Sequence, residues 1–252
     1  INPDVVCFQE FGNRSFRKAL RRAPAFDDYD FSGDQQAILS RYPVTRLSTS
    51  RLSKWRAEAW KLQVGPQAAV ALINVHLASQ PLRTQFLRGW TWSQLTEAIQ
   101  TYERELGALT ELVKEYGNRW PVVLAGDFNL PPGYPPLRAL SGRLKDCFST
   151  KGYGWGRTVP ARWPVVRIDR VLVPRESRVY YAAARPTRQS DHRFVISEVS
   201  ILLTPAGGSG QHATASETCV GTPVEHVLHV QRGWTEGVRG PHDFGILSAG
   251  AY

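Results

Sequence analysis

Methionine is absent from the 252 residues, cysteine occurs only three times, and no stretch reaches the roughly 20 consecutive apolar residues of a membrane-spanning helix. Cys7, Cys147 and Cys219 have neither the paired spacing of a zinc site nor the even count of a disulfide framework, so small stapled domains and zinc modules are excluded. Cys7 sits in an apolar run and reads as a small buried hydrophobe. No signal-peptide pattern opens the chain. It starts within Asn2-Pro3-Asp4-Val5-Val6, without an initiating methionine, and this predicts that a segment precedes Ile1 in the complete protein.

Acidic side chains are also sparse, 22 against 31 lysines and arginines, for a net charge of +9. The imbalance is local: residues 1–203 hold 29 basic and 18 acidic side chains, whereas 204–252 hold 2 and 4. Most of the cations are arginines, whose planar fork suits phosphate better than the lysine point charge does. An anionic partner is expected. The alternative is a basic surface with no specific ligand, because net charge speaks to solubility and nonspecific attraction. With 42% hydrophobic and 11% aromatic residues the chain has ample material for a core, as one large α/β domain or two small ones.

Short apolar segments separated by turn residues predict strands over Val5–Phe8, Ala37–Leu39, Ala59–Val64, Ala68–Val75, Val122–Ala125, Ile168–Val173, Val179–Ala184 and Phe194–Leu203. Between Thr91 and Tyr116 the apolar residues Leu95, Ile99, Tyr102, Leu106, Leu109, Leu112 and Val113 recur at helical steps. Shorter helices are expected over Arg14–Arg22 and Pro135–Leu140. Many strands and few helices predict two sheets packed face to face with helices outside. After Leu203 the sequence turns into Thr204-Pro205-Ala206-Gly207-Gly208-Ser209-Gly210, a flexible-linker composition. A catalytic domain over 1–203 and a loosely ordered, noncatalytic tail over 204–252 are therefore expected. Cys219, His226 and His229 in that tail match no established metal spacing.

The run Val122-Val123-Leu124-Ala125 leads directly into Gly126-Asp127-Phe128-Asn129. On an extended segment residues i and i+2 project to one side, so Asp127 and Asn129 can meet one small target such as a water or a phosphate oxygen. The same residue types also make ordinary turns after strands. Four further segments place polar, acid–base or metal-capable side chains at strand ends: Gln9-Glu10, Asn74-Val75-His76-Leu77, Arg167-Ile168-Asp169 and Ser190-Asp191-His192.

In order and wording these five segments resemble the endonuclease/exonuclease/phosphatase superfamily, the deoxyribonuclease I-like proteins, over about residues 3–203. The resemblance implies an α/β fold, a four-layer α/β/β/α sandwich of two mixed, mainly antiparallel sheets flanked by helices. It implies Mg²⁺-dependent cleavage of a phosphate ester, with Mn²⁺ as a substitute. Asp127 would activate the attacking water, Asn129 would hold a phosphate oxygen or orient the nucleophile, and His192 and His76 would donate to the phosphate. Asp169 would pair with His192, and Glu58 is the nominee for the carboxylate behind His76. Glu10 would hold the metal, with Asp191 near the metal or its waters. The family's other metal ligand, an asparagine on the preceding strand, has no counterpart ahead of Glu10.

Two segments rich in arginine and aromatics flank these residues, Gln80–Trp92 with Arg83, and Gly152–Trp163 with Trp155 and Arg157. They are expected either to contact substrate, by stacking bases or packing on a lipid chain, or to fill space beneath a loop. The second resembles a bacterial branch of the family whose members often carry membrane helices ahead of the catalytic domain. Expected partners are thus a nucleic acid, or a lipid-linked or small phosphate ester, with no protein partner and a monomeric state. Cytoplasmic and membrane-associated locations both stay open, and a noncatalytic binding module is the rival class.

Overall fold

The structure is a computed structural model and describes residues 3–10, 18, 26–32, 35–47, 56–79, 92–188, 190–203, 225–228 and 244–250. The first strands are β1 (Val5–Gln9), β2 (Asp28–Ser32), β3 (Gln36–Ser40), β4 (Val44–Leu47), β5 (Ala57–Gly65) and β6 (Ala68–His76). Helix α1 (Trp92–Gly117) leads to β7 (Val122–Asp127), a 3-10 turn (Pro135–Leu137), α2 (Arg138–Ser141), β8 (Leu144–Asp146), α3 (Cys147–Lys151) and β9 (Gly152–Tyr153). The chain continues through β10 (Asp169–Pro174), β11 (Arg178–Arg185), β12 (Phe194–Leu202), β13 (Glu225–Leu228) and β14 (Phe244–Gly250).

The strands form two sheets, one in the order β4-β5-β6-β7-β10-β8 and one in the order β2-β3-β1-β14-β12-β11-β9 with β13 also on β12. Neighbours are antiparallel except β6 with β7, β1 with β14 and β11 with β9. Strand alternation sorts the apolar side chains into two layers. Trp60, Leu62, Val70, Leu72, Val123 and Ala125 face the other sheet and meet Val5, Cys7, Ile38, Val195 and Val199. The intervening Ala57, Ala59, Ala71, Ile73, Val75 and Leu124 face outward onto Tyr102, Leu106, Leu109, Leu112 and Val113 of α1. Because β6 and β7 are covered on both faces, their sequences read as unbroken apolar runs. Pro121 follows α1 and cannot continue it, which returns the chain into β7.

The α/β sandwich expected from the sequence is thus present. The helix expected over Arg14–Arg22 lies outside the described residues. Two described segments after Leu203, in the region expected as a tail, are strands. β13 extends β12 through Val199↔Leu228 to Leu202↔Glu225, and β14 lies between β1 and β12, in register Val5↔Ile246 and Ser197↔Ile246. Backbone pairing outweighs composition here, because β1 and β12 each offer an edge that β14 satisfies. The eight-stranded sheet therefore draws on both sides of the boundary expected at Leu203.

Candidate active site

Sheet register alone brings three of the predicted residues into a row. His76 at the end of β6 is level with Asp127 at the end of β7, and Asp127 is level with Asp169 at the start of β10. Asp127 lies two residues beyond Ala125 and four beyond Val123, both of which face the opposite sheet, so its carboxylate points into the same inter-sheet space. Across that space, His192 immediately precedes β12 and Glu10 immediately follows β1.

His192 Nδ1 lies 3.0 Å from both carboxylate oxygens of Asp169 and 3.9 Å from Asp127 Oδ2. Its Nε2 is 3.6 Å from Asp191 Oδ1, and its backbone N–H donates to Ser190 Oγ at 3.0 Å. Burial opposes the charged imidazole, but the hydrogen bond and charge of Asp169, with Asp127 and Asp191 adding to them, outweigh it and push His192 up to about 9. Asp127 moves up as well, to about 7, chiefly because burial penalises its charge and because Asp169 is a like charge nearby. His192 and the Asn129 N–H pull it partly back. The Asp127 and His192 charges act on one another, so these two groups lose their protons as an interacting pair.

The turn carrying Asp127 is fixed from several sides. Gly126 has φ +143°, and a Cβ there would stand 2.0 Å from the Val75 carbonyl oxygen, so only glycine fits. Asp127 Oδ1 accepts from the Asn129 N–H at 2.7 Å, and Asn129 Nδ2 donates to the Leu77 carbonyl at 2.9 Å. Asn129 itself has φ +51°. The expectation that Asp127 and Asn129 share one side of an extended segment is therefore corrected, because the strand ends at Asp127 and Asn129 belongs to the turn. Arg170, 4% exposed, donates through Nη2 to the Leu130 carbonyl at 2.5 Å and lays its guanidinium 5.6 Å from the Phe128 ring. Burial brings this guanidinium down to about 10.

Around His76 the pairing differs from expectation. The carboxylate at its Nε2 is Glu10, at 3.2 Å, while Glu58 accepts from the Ser32 hydroxyl. Glu58 shares the inward face of β5 with Trp60 and Leu62, where Ser32 of the opposite sheet meets it. His76 Nδ1 is buried and has no hydrogen-bond partner among the described residues. Glu10 has φ +53°, held by its N–H donating to the Gln35 carbonyl at 2.7 Å. Gln9 and Asn74 tie the sheets together beneath it: Gln9 Nε2 donates to Asn74 Oδ1 at 2.5 Å, and Asn74 Nδ2 donates to the Phe8 carbonyl at 2.9 Å.

Ligand-capable atoms of Asp127, Asp169 and His192 lie within 4.8 Å of one another, close enough to hold a divalent cation. The imidazole nitrogen nearest those carboxylates is already engaged with Asp169, and a hard cation prefers oxygen donors and retained waters. Glu10 and Asp191 carry half-exposed carboxylates, each beside a site histidine.

Sequence reasoning missed Arg170 and Thr158 as supports. Thr158 Oγ1 accepts from the backbone N–H groups of Ile168 and Asp169, at 3.2 and 3.3 Å, and so sets the start of β10. The available signal was a cation inside the strand run Ile168-Asp169-Arg170-Val171, a place where an unpaired charge is costly. Trp155 and Arg157 lie on the surface loop before β10, with the guanidinium 5.6 Å from the Trp155 ring. Arg83 lies outside the described residues.

Strands β6, β7 and β10 thus align His76, Asp127 and Asp169 beneath a histidine from the opposing sheet, a two-sheet sandwich with a cluster of carboxylates and imidazoles at one edge. A sequence profile of the Endonuclease/Exonuclease/phosphatase family matches residues 1–192, and the chain belongs to that family, whose members hydrolyse phosphate esters. It is similar to the uncharacterized protein YbhP of Escherichia coli K12, 26% identical over 235 residues, spanning 80% of this chain and 85% of that one. Among solved structures it resembles the mannosyl-6-phosphatase of Bacteroides thetaiotaomicron, 18% identical, covering 78% and 85% of the two chains with a TM-score of 0.54. It also resembles Danio rerio TDP2 complexed with a single-stranded DNA product, 18% identical, covering 76% and 83% with a TM-score of 0.54. At that identity the two structures share the fold with this chain.

Proposed function

We propose that the protein hydrolyses phosphate esters, phosphodiesters foremost, by attack of water, with Asp127 as the base and His192 as the donor to the phosphate. The supporting observation is the engagement of His192 Nδ1 by both oxygens of Asp169 at 3.0 Å, which orients the ring and directs Nε2 toward the half-exposed side of the site. An imidazolium held in this way donates to oxygen charge that grows in the transition state. A carboxylate pushed up to about 7 has the basicity to take a proton from water near neutral pH. His76, steadied by Glu10, is the second donor to the phosphate.

Glu10 and Asp191 are the residues that would hold Mg²⁺, or Mn²⁺ in its place. When bound, such an ion supplies Lewis-acid polarisation of a phosphate oxygen and a template for the substrate. The full chain is expected to hydrolyse bis-p-nitrophenyl phosphate with Mg²⁺ or Mn²⁺ and to stop when a chelator is added. A folded chain that is inert with both ions would refute this reading.

A further inference from the structure

Five of the eight exposed large apolar side chains among the described residues fall between the end of β9 and the start of β10: Tyr153 (50% exposed), Trp155 (78%), Trp163 (77%), Val165 (64%) and Val166 (37%). Apolar surface gathered in this way on a soluble face marks an interaction site, whereas the same residues scattered singly would need no explanation. Between residues 151 and 167 the chain carries Lys151, Arg157, Arg162 and Arg167 and no acidic residue. Lys151, Arg157 and Arg162 are exposed, and Arg167 is paired with Asp146 at 2.7 Å.

The loop is stiff and is fastened to the catalytic residues. Val159 and Val166 pair as a short hairpin through hydrogen bonds of 3.1 Å in both directions. Ala161 N–H donates to the Asp191 carbonyl at 2.5 Å, Arg193 N–H donates to the Thr158 carbonyl at 2.8 Å, and Arg193 Nε donates to the Ala161 carbonyl at 2.8 Å. Gly152 and Gly156 press against Phe148, where a Cβ would stand 2.5 Å and 2.2 Å from its nearest atoms. The loop backbone at Thr158 and Ala161 is therefore tied to the residues on either side of His192.

Apolar side chains interleaved with cations fit either a lipid–water interface of anionic phospholipid or a single-stranded nucleic acid. Base stacking along a strand needs successive open aromatic faces, and of the three exposed rings only Trp163 has no ring or cation over it among the described residues. Tyr153 stacks on Tyr181 with ring centroids 5.0 Å apart, and Arg157 covers the Trp155 ring. Val165 and Val166 offer no π-face at all. Partial insertion into a headgroup layer uses ring edges and aliphatic branches equally well, with arginines meeting lipid phosphates.

We propose that residues 153–166 form a docking surface for an anionic phospholipid interface, placing a phosphate ester of that layer at His192. The proposal extends the reading above from a phosphate ester in general to one presented by a lipid surface, and rests on that reading for its chemistry. The test is co-sedimentation of the full chain with vesicles of phosphatidylcholine alone or mixed with phosphatidylglycerol, alongside binding to a single-stranded oligonucleotide. Hydrolysis of soluble bis-p-nitrophenyl phosphate by the wild-type chain reports the catalytic reading separately. The wild type is expected to partition onto the phosphatidylglycerol vesicles about tenfold more strongly than onto phosphatidylcholine. Trp163→Ser with Val165→Ser, and Val165→Ser alone as a milder variant at an exposed position, should each weaken that partition, the double variant by about tenfold, at an unchanged melting temperature. Absence of wild-type binding to the anionic vesicles overturns the proposal. So does equal binding by folded variants, or a loss confined to oligonucleotide binding.

Discussion

His192 Nδ1 sits 3.0 Å from each carboxylate oxygen of Asp169, so one ring nitrogen faces a buried negative charge while the other faces the open side of the site. Replacing Asp169 with Asn keeps the shape and removes the charge that holds the imidazolium. Asp169→Asn is expected to lower kcat by about 10²–10⁴ and to move the alkaline limb of the pH–rate profile downward, since His192 loses its main support. A profile whose alkaline limb stays in place would assign that limb to another group.

The pH dependence of activity follows from the two displaced groups. As the proposed base, Asp127 would act only when ionised, and as the proposed donor, His192 only when protonated, so kcat/KM should rise through about 7 and fall through about 9. Asp127 and His192 interact, so both limbs belong to the pair.

Stability carries the opposite sign for Asp127. Its pKa rises from 3.8 unfolded to about 7 folded, so folding favours the protonated carboxyl and stability declines as pH climbs from about 4 to 7. His192 is raised from 6.5 to about 9, so its contribution is complete below 6.5 and is lost as pH rises through about 9. Asp127→Asn removes the first penalty. It should abolish turnover while leaving the melting temperature at pH 8 equal to or above that of the wild type; a large fall would mark the carboxylate as a structural support.

Much of this site is legible in the residues themselves. Asp127, Asp169, His192, His76 and Glu10 each end or begin an apolar strand run, and strand ends at one edge of a sandwich converge. Partners were less legible, because they come from residues distant in sequence. Glu10 rather than Glu58 meets His76 because the β1 end crosses from the other sheet, whereas Glu58 is claimed by Ser32. Strand β2 was hidden by Asp28 and Asp30, poor strand formers that are satisfied across the sheets. Asp30 accepts from Arg46 Nε at 2.7 Å and from Trp60 Nε1 at 2.6 Å. β14 was hidden by two glycines in Phe244-Gly245-Ile246-Leu247-Ser248-Ala249-Gly250 and by the composition around it.

Because β14 lies between β1 and β12, proline within it removes a backbone donor from the centre of a sheet. Leu247→Pro should lower stability by about 1–3 kcal/mol, the cost of leaving a buried ladder partner unpaired, measured by denaturant unfolding. A stability equal to the wild type would show that the eight-stranded sheet does not depend on this strand.

Arg170 braces the turn between Asp127 and Leu130 from a buried position. Arg170→Met keeps the apolar packing on Phe128 but loses the bond to Leu130. It should lower kcat by about tenfold with KM nearly unchanged, whereas a change confined to the melting temperature would make Arg170 a stabilising residue only.

The most direct test is kcat/KM for bis-p-nitrophenyl phosphate with Mg²⁺, compared between the wild-type chain and His192→Ala of unchanged fold. A centre built from His192, Asp169 and Asp127 predicts measurable turnover in the wild type and a fall of about 10²–10⁴ in the variant. Equal rates in the two proteins would contradict it and place phosphate cleavage elsewhere in the molecule.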